Sequence, residues 1–379
     1  MERIIYLDNS ATTKPFAEVE QFYKEQMDNF YNPSALYAPA VSVRKKIEQA
    51  RKHIAELLGG ENGTLYFTSG ATEANNLALG GVNYAGGAEL VVSEGEHPSV
   101  YAKAKSLQNS GVVVKYLPLE DTGKVQAIAI NKYVTNKTAL ISVMLVSNEV
   151  GAINNIKEMV TQAKKINPKV LFHVDGVQAV GKIPVDLMDL GVDLFTISAH
   201  KIHGPKGVGA LWVKKGINIH PLVFGGGQEL GLRSGTENTA GILAFEYALQ
   251  KVIRDLHSNY KKVKNDKDKL FELLQNNQVE IINNSTDSSP YILSLSIFGL
   301  RGEVLVHELE KFNIYISTGS ACSSKKPDNR TLIAMKRTEE QIKGTIRISF
   351  SAYDDYDIDY IANIMSQEIT KLKTKISGK

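Results

Sequence analysis

Residues 194–213 read LFTISAHKIHGPKGVGALWV. Residues 194–197 have the apolar, β-branched character of a strand, and 208–213 make a second strand candidate. Between them runs a polar turn punctuated by Gly204, Pro205 and Gly207. Lys201 sits where the first strand ends, between His200 and His203 and just after the small residues Ser198 and Ala199. A lysine at a strand end among small and polar neighbours is placed like one that forms a Schiff base with an aldehyde. Taken alone, Lys201 reads as an ordinary loop lysine. The two histidines lack a carboxylate or thiolate at a supporting ligand spacing, so no metal site is expected here.

Outward from this stretch, strand-like runs at 65–68, 90–93, 112–117, 139–146 and 170–174 alternate with helical patterns at 71–83, 99–109, 125–134 and 156–166. Several strands are apolar on both faces, as strands covered by helices on each side must be. The alternation predicts an α/β fold: a large domain with a mostly parallel, seven-stranded sheet covered by helices. From about residue 256 the character changes. A lysine-rich helical stretch leads into short strands at 292–297, 314–318 and 346–350 and a final amphipathic helix at 357–373. This predicts a smaller α+β domain, with residues 16–255 in the large domain and 1–15 with 256–379 in the small one. The charge run 261–269 reads as a solvated helix face.

Polar clusters follow the apolar strands. In FTSGATEANNLAL, residues 67–79, a strand turns through Gly70 into a helix whose first N–H groups, with the Thr72 hydroxyl, could cradle a phosphate; simple capping by Ser69 or Thr72 is the plainer reading. HVDGVQ, 173–178, ends a strand with Asp175, suited to hold a protonated ring nitrogen. NEVG (148–151) and EGEHPSV (94–100) also lie just past strand ends, where open α/β sheets bind ligands. GGGQELGLRSGTEN, 225–238, reads as a flexible surface loop. Cys322, the one cysteine in 379 residues, excludes an intrachain disulfide and a multi-thiolate zinc site. Its setting, STGSACSS at 317–324, is too small and polar for a packed core thiol. With 44 basic and 41 acidic residues the formal charge is +3, which gives no sign of a nucleic-acid surface. The N-terminus is charged early and no uncharged apolar stretch could span a membrane, so a cytoplasmic protein is expected.

In combination, SAHKIHGPKG, RSGTEN and GSACSS resemble the NifS-like cysteine desulfurases, pyridoxal-phosphate enzymes of the aspartate-aminotransferase fold. The likeness runs from YLDNSATT (6–13) to IRISF (346–350), and the surroundings of Cys322 resemble the subgroup with a long mobile catalytic loop. The resemblance implies pyridoxal 5'-phosphate as cofactor and L-cysteine as substrate. It implies that Lys201 holds the cofactor and moves the substrate α-proton, that Asp175 pairs with the ring nitrogen and Gln178 with the ring hydroxyl oxygen, and that His97 stacks on the ring and assists proton transfers. Ala71, Thr72, Ser198 and His200 would hold the phosphate. Thr236 would reach the phosphate of a neighbouring subunit, which implies a homodimer with shared active sites. Arg347 and Asn148 would bind the substrate carboxylate, with Asn32 close by, and Cys322 would carry sulfur as a persulfide. The acceptor would be another protein, an iron–sulfur scaffold or a tRNA-thiolation enzyme.

The chain departs from the family pattern twice. KKPDNRTLIAMKRT after Cys322 lacks the family's glycine and Pro-Ser-His run, and Ser351 stands where glycine is usual. Rival readings are an aminotransferase or selenocysteine lyase of the same fold, and a non-catalytic scaffold. Transamination needs no thiol, and a scaffold needs neither the lysine nor the aspartate.

Overall fold

The computed structural model describes residues 4–319 and 329–377. After a two-residue strand, β1 (Ile5–Tyr6), and the helices Ala17–Gln26 and Ala38–Leu57, seven strands build the large sheet. These are β2 (Gly63–Thr68), β3 (Glu89–Ser93), β4 (Val113–Leu117), β5 (Thr138–Ser142), β6 (Leu171–Asp175), β7 (Leu194–Ser198) and β8 (Gly209–Lys214). Their order is β2-β8-β7-β6-β5-β3-β4. All neighbours are parallel except β8, which runs antiparallel to both β2 and β7. The sharp turn after Lys201 explains that reversal: only a short connection joins β7 to β8, too short for a parallel crossover.

Alternate residues of each strand enter different cores. Ile141, Phe172, Val174, Phe195 and Trp212 pack on one face with helices Ala38–Leu57, Ile156–Ile166 and Thr239–Arg254. Leu90, Val92, Leu140, Leu194 and Leu211 pack on the other, beneath helix Ala71–Gly80. Both faces are buried, which is why the strands read as nearly continuous apolar runs. All seven strands lie where the sequence predicts them, to within a few residues.

A second sheet, in the order β12-β10-β9, combines β9 (Ile281–Asn283), β10 (Ile292–Ile297) and β12 (Thr345–Ser349), all antiparallel. The strand β11 (Ile314–Tyr315) pairs in parallel with β1. Isolated bridges from Asp8 to Ser349 and from Ser317 to Arg347 stitch that pair to β12. Helices Leu256–Asn276, Gly302–Glu310 and Ile358–Ser377 close a separate apolar core over this sheet.

Three expectations need correction. The helix expected at 125–134 is only a tight turn at Ala127–Ala129 followed by Ile130–Tyr133. The run 261–269 is not wholly solvated. Lys267 lies on the inner side of its helix, buried, and its Nζ donates to Ser288 Oγ at 2.7 Å and Ser289 O at 3.0 Å. The segment 225–238 is anchored rather than loose. Glu229 in it is buried and ion-paired with Arg51, and it accepts the Phe67 N–H at 2.8 Å. No helix among the described residues is long and apolar enough to cross a membrane.

Candidate active site

A cavity of about 660 Å³, within the range of small-molecule sites, opens at the carboxyl ends of β5, β6 and β7. Lys201 enters it from the turn after β7, and Nζ donates to the carbonyls of Ser10 at 2.6 Å and Ala11 at 2.7 Å. The segment NSATT therefore forms one wall, held by Thr13 N–H donating to His200 O at 3.0 Å.

Asp175 ends β6 and is buried. Its Oδ1 accepts the Val177 N–H at 3.0 Å and its Oδ2 accepts Asn75 Nδ2 at 2.8 Å. Gly176 must be glycine for the strand to turn here, since a Cβ would fall 2.0 Å from the Phe195 ring. The other hydrogen of Asn75 Nδ2 goes to Ser99 Oγ at 2.9 Å, and Ser99 Oγ lies 2.8 Å from His97 Nδ1. His97 is the N-cap of helix Pro98–Asn109, and Nδ1 also accepts the Ser99 N–H at 3.1 Å. A nitrogen that accepts a backbone N–H carries no proton, so the ring proton of neutral His97 is on Nε2. A donor chain thus runs from Asn75 to the histidine, with the aspartate on its other branch.

The residues expected to cradle a phosphate also line the cavity. Gly70, Ala71 and Thr72 bring the N-terminus of helix Ala71–Gly80 to it, and Ser198 and His200 line it from the β7 side. The first-turn N–H groups of a helix have no partners within it and favour anions. Gly209 packs on Gly70 so closely that a Cβ there would lie 2.8 Å from the Gly70 backbone. Ser198 Oγ is buried without a hydrogen-bond partner among the described residues. Burial first, then the charges of Lys201, Lys206 and Lys182, pushes His200 down to about 4, so it is neutral near pH 7.

Arg347 of β12 reaches the cavity from the second sheet and is 2 % exposed. Its NH2 pairs with Asp8 Oδ1 at 2.7 Å, and its NH1 donates to the Asn148 and Gly319 carbonyls, both at 2.9 Å. Nε has no partner among the described residues. Asn148 and Gln178 also line the cavity.

Two of the expected residues are not in this cavity. Asn32 is exposed, and its Oδ1 accepts the Ser34 N–H at 2.9 Å. Thr236 is exposed beyond the anchored segment around Glu229. Cys322 lies outside the described residues. Asn75, Ser99 and Lys182 are among the polar residues that sequence reading missed, as are Lys206 in the lining and Asp8 beside Arg347. Asn75 had a signal: it shares a helix face with Ala74, Ala78 and Leu79, where an asparagine is out of place unless paired.

Comparison with known proteins agrees with this geometry. The family model for aminotransferase class-V matches residues 5–361. "Cysteine desulfurase IscS" of Clostridium botulinum is 36% identical over 379 residues, 97% of this chain and 95% of the relative. A solved structure named as a NifS-like protein superposes with a TM-score of 0.90 at 33% identity, covering 97% of this chain and all of that one. Another, described as SspA in complex with cysteine, gives 0.79 at 29% identity over 93% of this chain and 100% of that one. With the lysine, the buried aspartate and the capping histidine meeting in one cavity of a matching fold, this chain belongs to the class-V aminotransferase family, among its NifS-like cysteine desulfurases.

Proposed function

We propose that this protein removes sulfur from L-cysteine, leaving L-alanine, and carries the sulfur as a persulfide on Cys322 to an acceptor protein. The observation that carries the reading is the convergence of Lys201, Asp175, His97 and Arg347, from four separate elements, on one cavity in a chain related to cysteine desulfurases. A solved relative described as a cysteine complex supports the substrate class.

The family depends on pyridoxal 5'-phosphate, and the cavity fits that group. It offers a buried hydroxyl without a partner among the described residues and a helix N-terminus for a phosphate, a buried carboxylate for a ring nitrogen, and an amine for an aldehyde. When bound, the cofactor supplies an electron sink that makes the substrate Cα–H acidic. Lys201 would hold its aldehyde carbon, then take the proton from Cα. Asp175, kept in place by Asn75 and the Val177 N–H, would hold a proton at the ring nitrogen. Gln178 Nε2 would donate to the ring oxygen, while Ala71, Thr72, Ser198 and His200 would bind the phosphate. His97, with its proton on Nε2, would present a donor to the substrate side. Arg347 would use Nε to take the substrate carboxylate beside Asn148.

The Cys322 thiolate would attack the substrate sulfur. The new S–S bond forms as the substrate C–S bond breaks, and its electron pair passes to Cβ, which takes a proton; Lys201 would return to Cα the proton it took, and alanine leaves. With no second cysteine in the chain, the terminal sulfur must leave to an external reductant or an acceptor's thiol. An iron–sulfur scaffold or a tRNA-thiolation enzyme in the cytoplasm is the acceptor this reading expects. Thr236 would complete the site of a second copy in a homodimer. Borohydride reduction of the holoenzyme followed by peptide mapping should place the cofactor on Lys201, and Lys201→Ala should retain none covalently. Label on another lysine contradicts the reading.

A further inference from the structure

Lys182 is 6 % exposed and has no part in the chemistry above. It follows Gln178 by one helical turn's spacing, and its Nζ donates to Gln178 Oε1 at 2.5 Å. No carboxylate among the described residues pairs with it. Burial, then the charges of Lys201 and Arg347, pushes its amine down to about 7. An uncompensated buried ammonium is costly, so its place here calls for a reason. The ammonium has donors and no acceptor; the neutral amine adds a lone pair, but it still meets Gln178 Oε1 because Ser10 O holds Nε2 on the other side.

A carboxamide has a donor end and an acceptor end of nearly the same shape, and Gln178 could turn either toward the cavity. Lys182 removes the choice. Its N–H bonds require the oxygen end, so Nε2 must turn the other way. There Nε2 donates to Ser10 O at 2.9 Å, the same carbonyl that accepts Lys201 Nζ at 2.6 Å. A donor on one side and an acceptor on the other fix the amide's orientation independently. The second hydrogen of Nε2 is then the group a ring oxygen needs, because that oxygen accepts.

We propose that Lys182 is a positioning residue that locks the Gln178 carboxamide with its N–H end toward the cofactor's ring oxygen, beside Lys201. The inference rests on Gln178 being a cofactor ligand. It is tested on the purified full-length protein by titrating pyridoxal 5'-phosphate and by following the pH midpoint of the bound cofactor's visible absorbance. The variants are Lys182→Met, Gln178→Ala and the two combined. Each single change should weaken cofactor binding by about tenfold, the worth of one oriented hydrogen bond. The double variant should be no weaker than Gln178→Ala, because Lys182 acts only through Gln178. Lys182→Arg, which keeps donors at the site, should restore most of the affinity. If Lys182→Met does not fold, Lys182→Leu, which likewise removes every donor, takes its place in the cycle.

The titratable or charged groups facing Lys182 are Lys201, Arg347, His200 and His203, with Tyr291 and Tyr353 lining the small void beside it. None is altered in these variants. Losses that multiply in the double variant overturn the proposal, as does Lys182→Met with unchanged affinity and midpoint. If Gln178→Ala changes neither quantity, Gln178 is not a cofactor ligand, and the proposal falls with that reading rather than on its own.

Discussion

Asn75 makes two hydrogen bonds with one nitrogen, to Asp175 and to Ser99, and so ties the proposed electron-sink carboxylate to the histidine cap across two elements. Its orientation is unambiguous, because only the N–H end can face a carboxylate. Asn75→Ala keeps the helix but leaves Asp175 Oδ2 and Ser99 Oγ without their donor. The expected result is a loss of about 1–3 kcal/mol of stability, the cost of unpaired buried polar groups, together with a shifted cofactor absorbance. Chemical denaturation and spectra of the holoenzyme check both, and an unchanged variant contradicts the network. At this scale the sequence is informative where residue types combine. Lys201 and Asp175 read singly as a loop lysine and a cap and become legible only together with the other polar clusters at strand ends, whereas Lys182 does not become legible even so. In the linear sequence it closes an apolar run and looks like a surface lysine, and only the fold buries it against Gln178.

The turn from Lys201 to Gly207 joins β7 to β8 within the large sheet. His203 within it has a left-handed backbone, φ 62°. Its N–H donates to Thr13 Oγ1 at 2.7 Å, its Nδ1 donates to Lys14 O at 2.8 Å, and its ring stacks 4.5 Å from Phe16. Its Nε2 accepts from Ser351 Oγ at 3.3 Å, which gives the unusual serine after β12 a partner. Burial is the main cause that holds His203 down, at about 4. Because the unfolded chain titrates near 6.5, it binds more protons than the folded one between the two values. This contribution to stability is therefore intact above about pH 6.5 and is lost as pH falls toward 4. His203→Asn accepts the same backbone conformation without titrating. Thermal melts between pH 7 and 4 should show a shallower loss for that variant than for the wild type, and equal slopes contradict the assignment. The strand–turn–strand itself was legible, since apolar runs and Gly-Pro punctuation are local. The anchoring of residues 225–238 was not, because it depends on Arg51, which meets Glu229 only after the chain has folded.

Across the whole molecule, alternating strands and helices made the large sheet readable, while helices Ala38–Leu57 and Thr239–Arg254 emerge only from the packing of its far face. The large core also takes in Leu332 and Met335, which follow the Cys322 segment in sequence. Apolar side chains stand exposed in the two segments that carry Asn32 and Thr236: Phe30 is 78% and Leu36 90% exposed in one, Phe224 80% and Leu230 71% in the other. Exposed side chains of this size fit a covering partner, and the second copy proposed above would be that partner. The combined change Phe224→Lys and Leu230→Lys should convert a dimer to a monomer in light scattering and weaken cofactor retention; a dimer that persists contradicts that assembly. The central claim is sulfur transfer from L-cysteine to Cys322, and a single turnover of the holoenzyme without added thiol tests it most directly. Mass spectrometry should find one extra sulfur atom on the peptide containing Cys322 and one alanine released per sulfur bound. Cys322→Ser should keep the cofactor spectrum and give neither product. A keto acid in place of alanine, or full turnover by Cys322→Ser, would contradict the account.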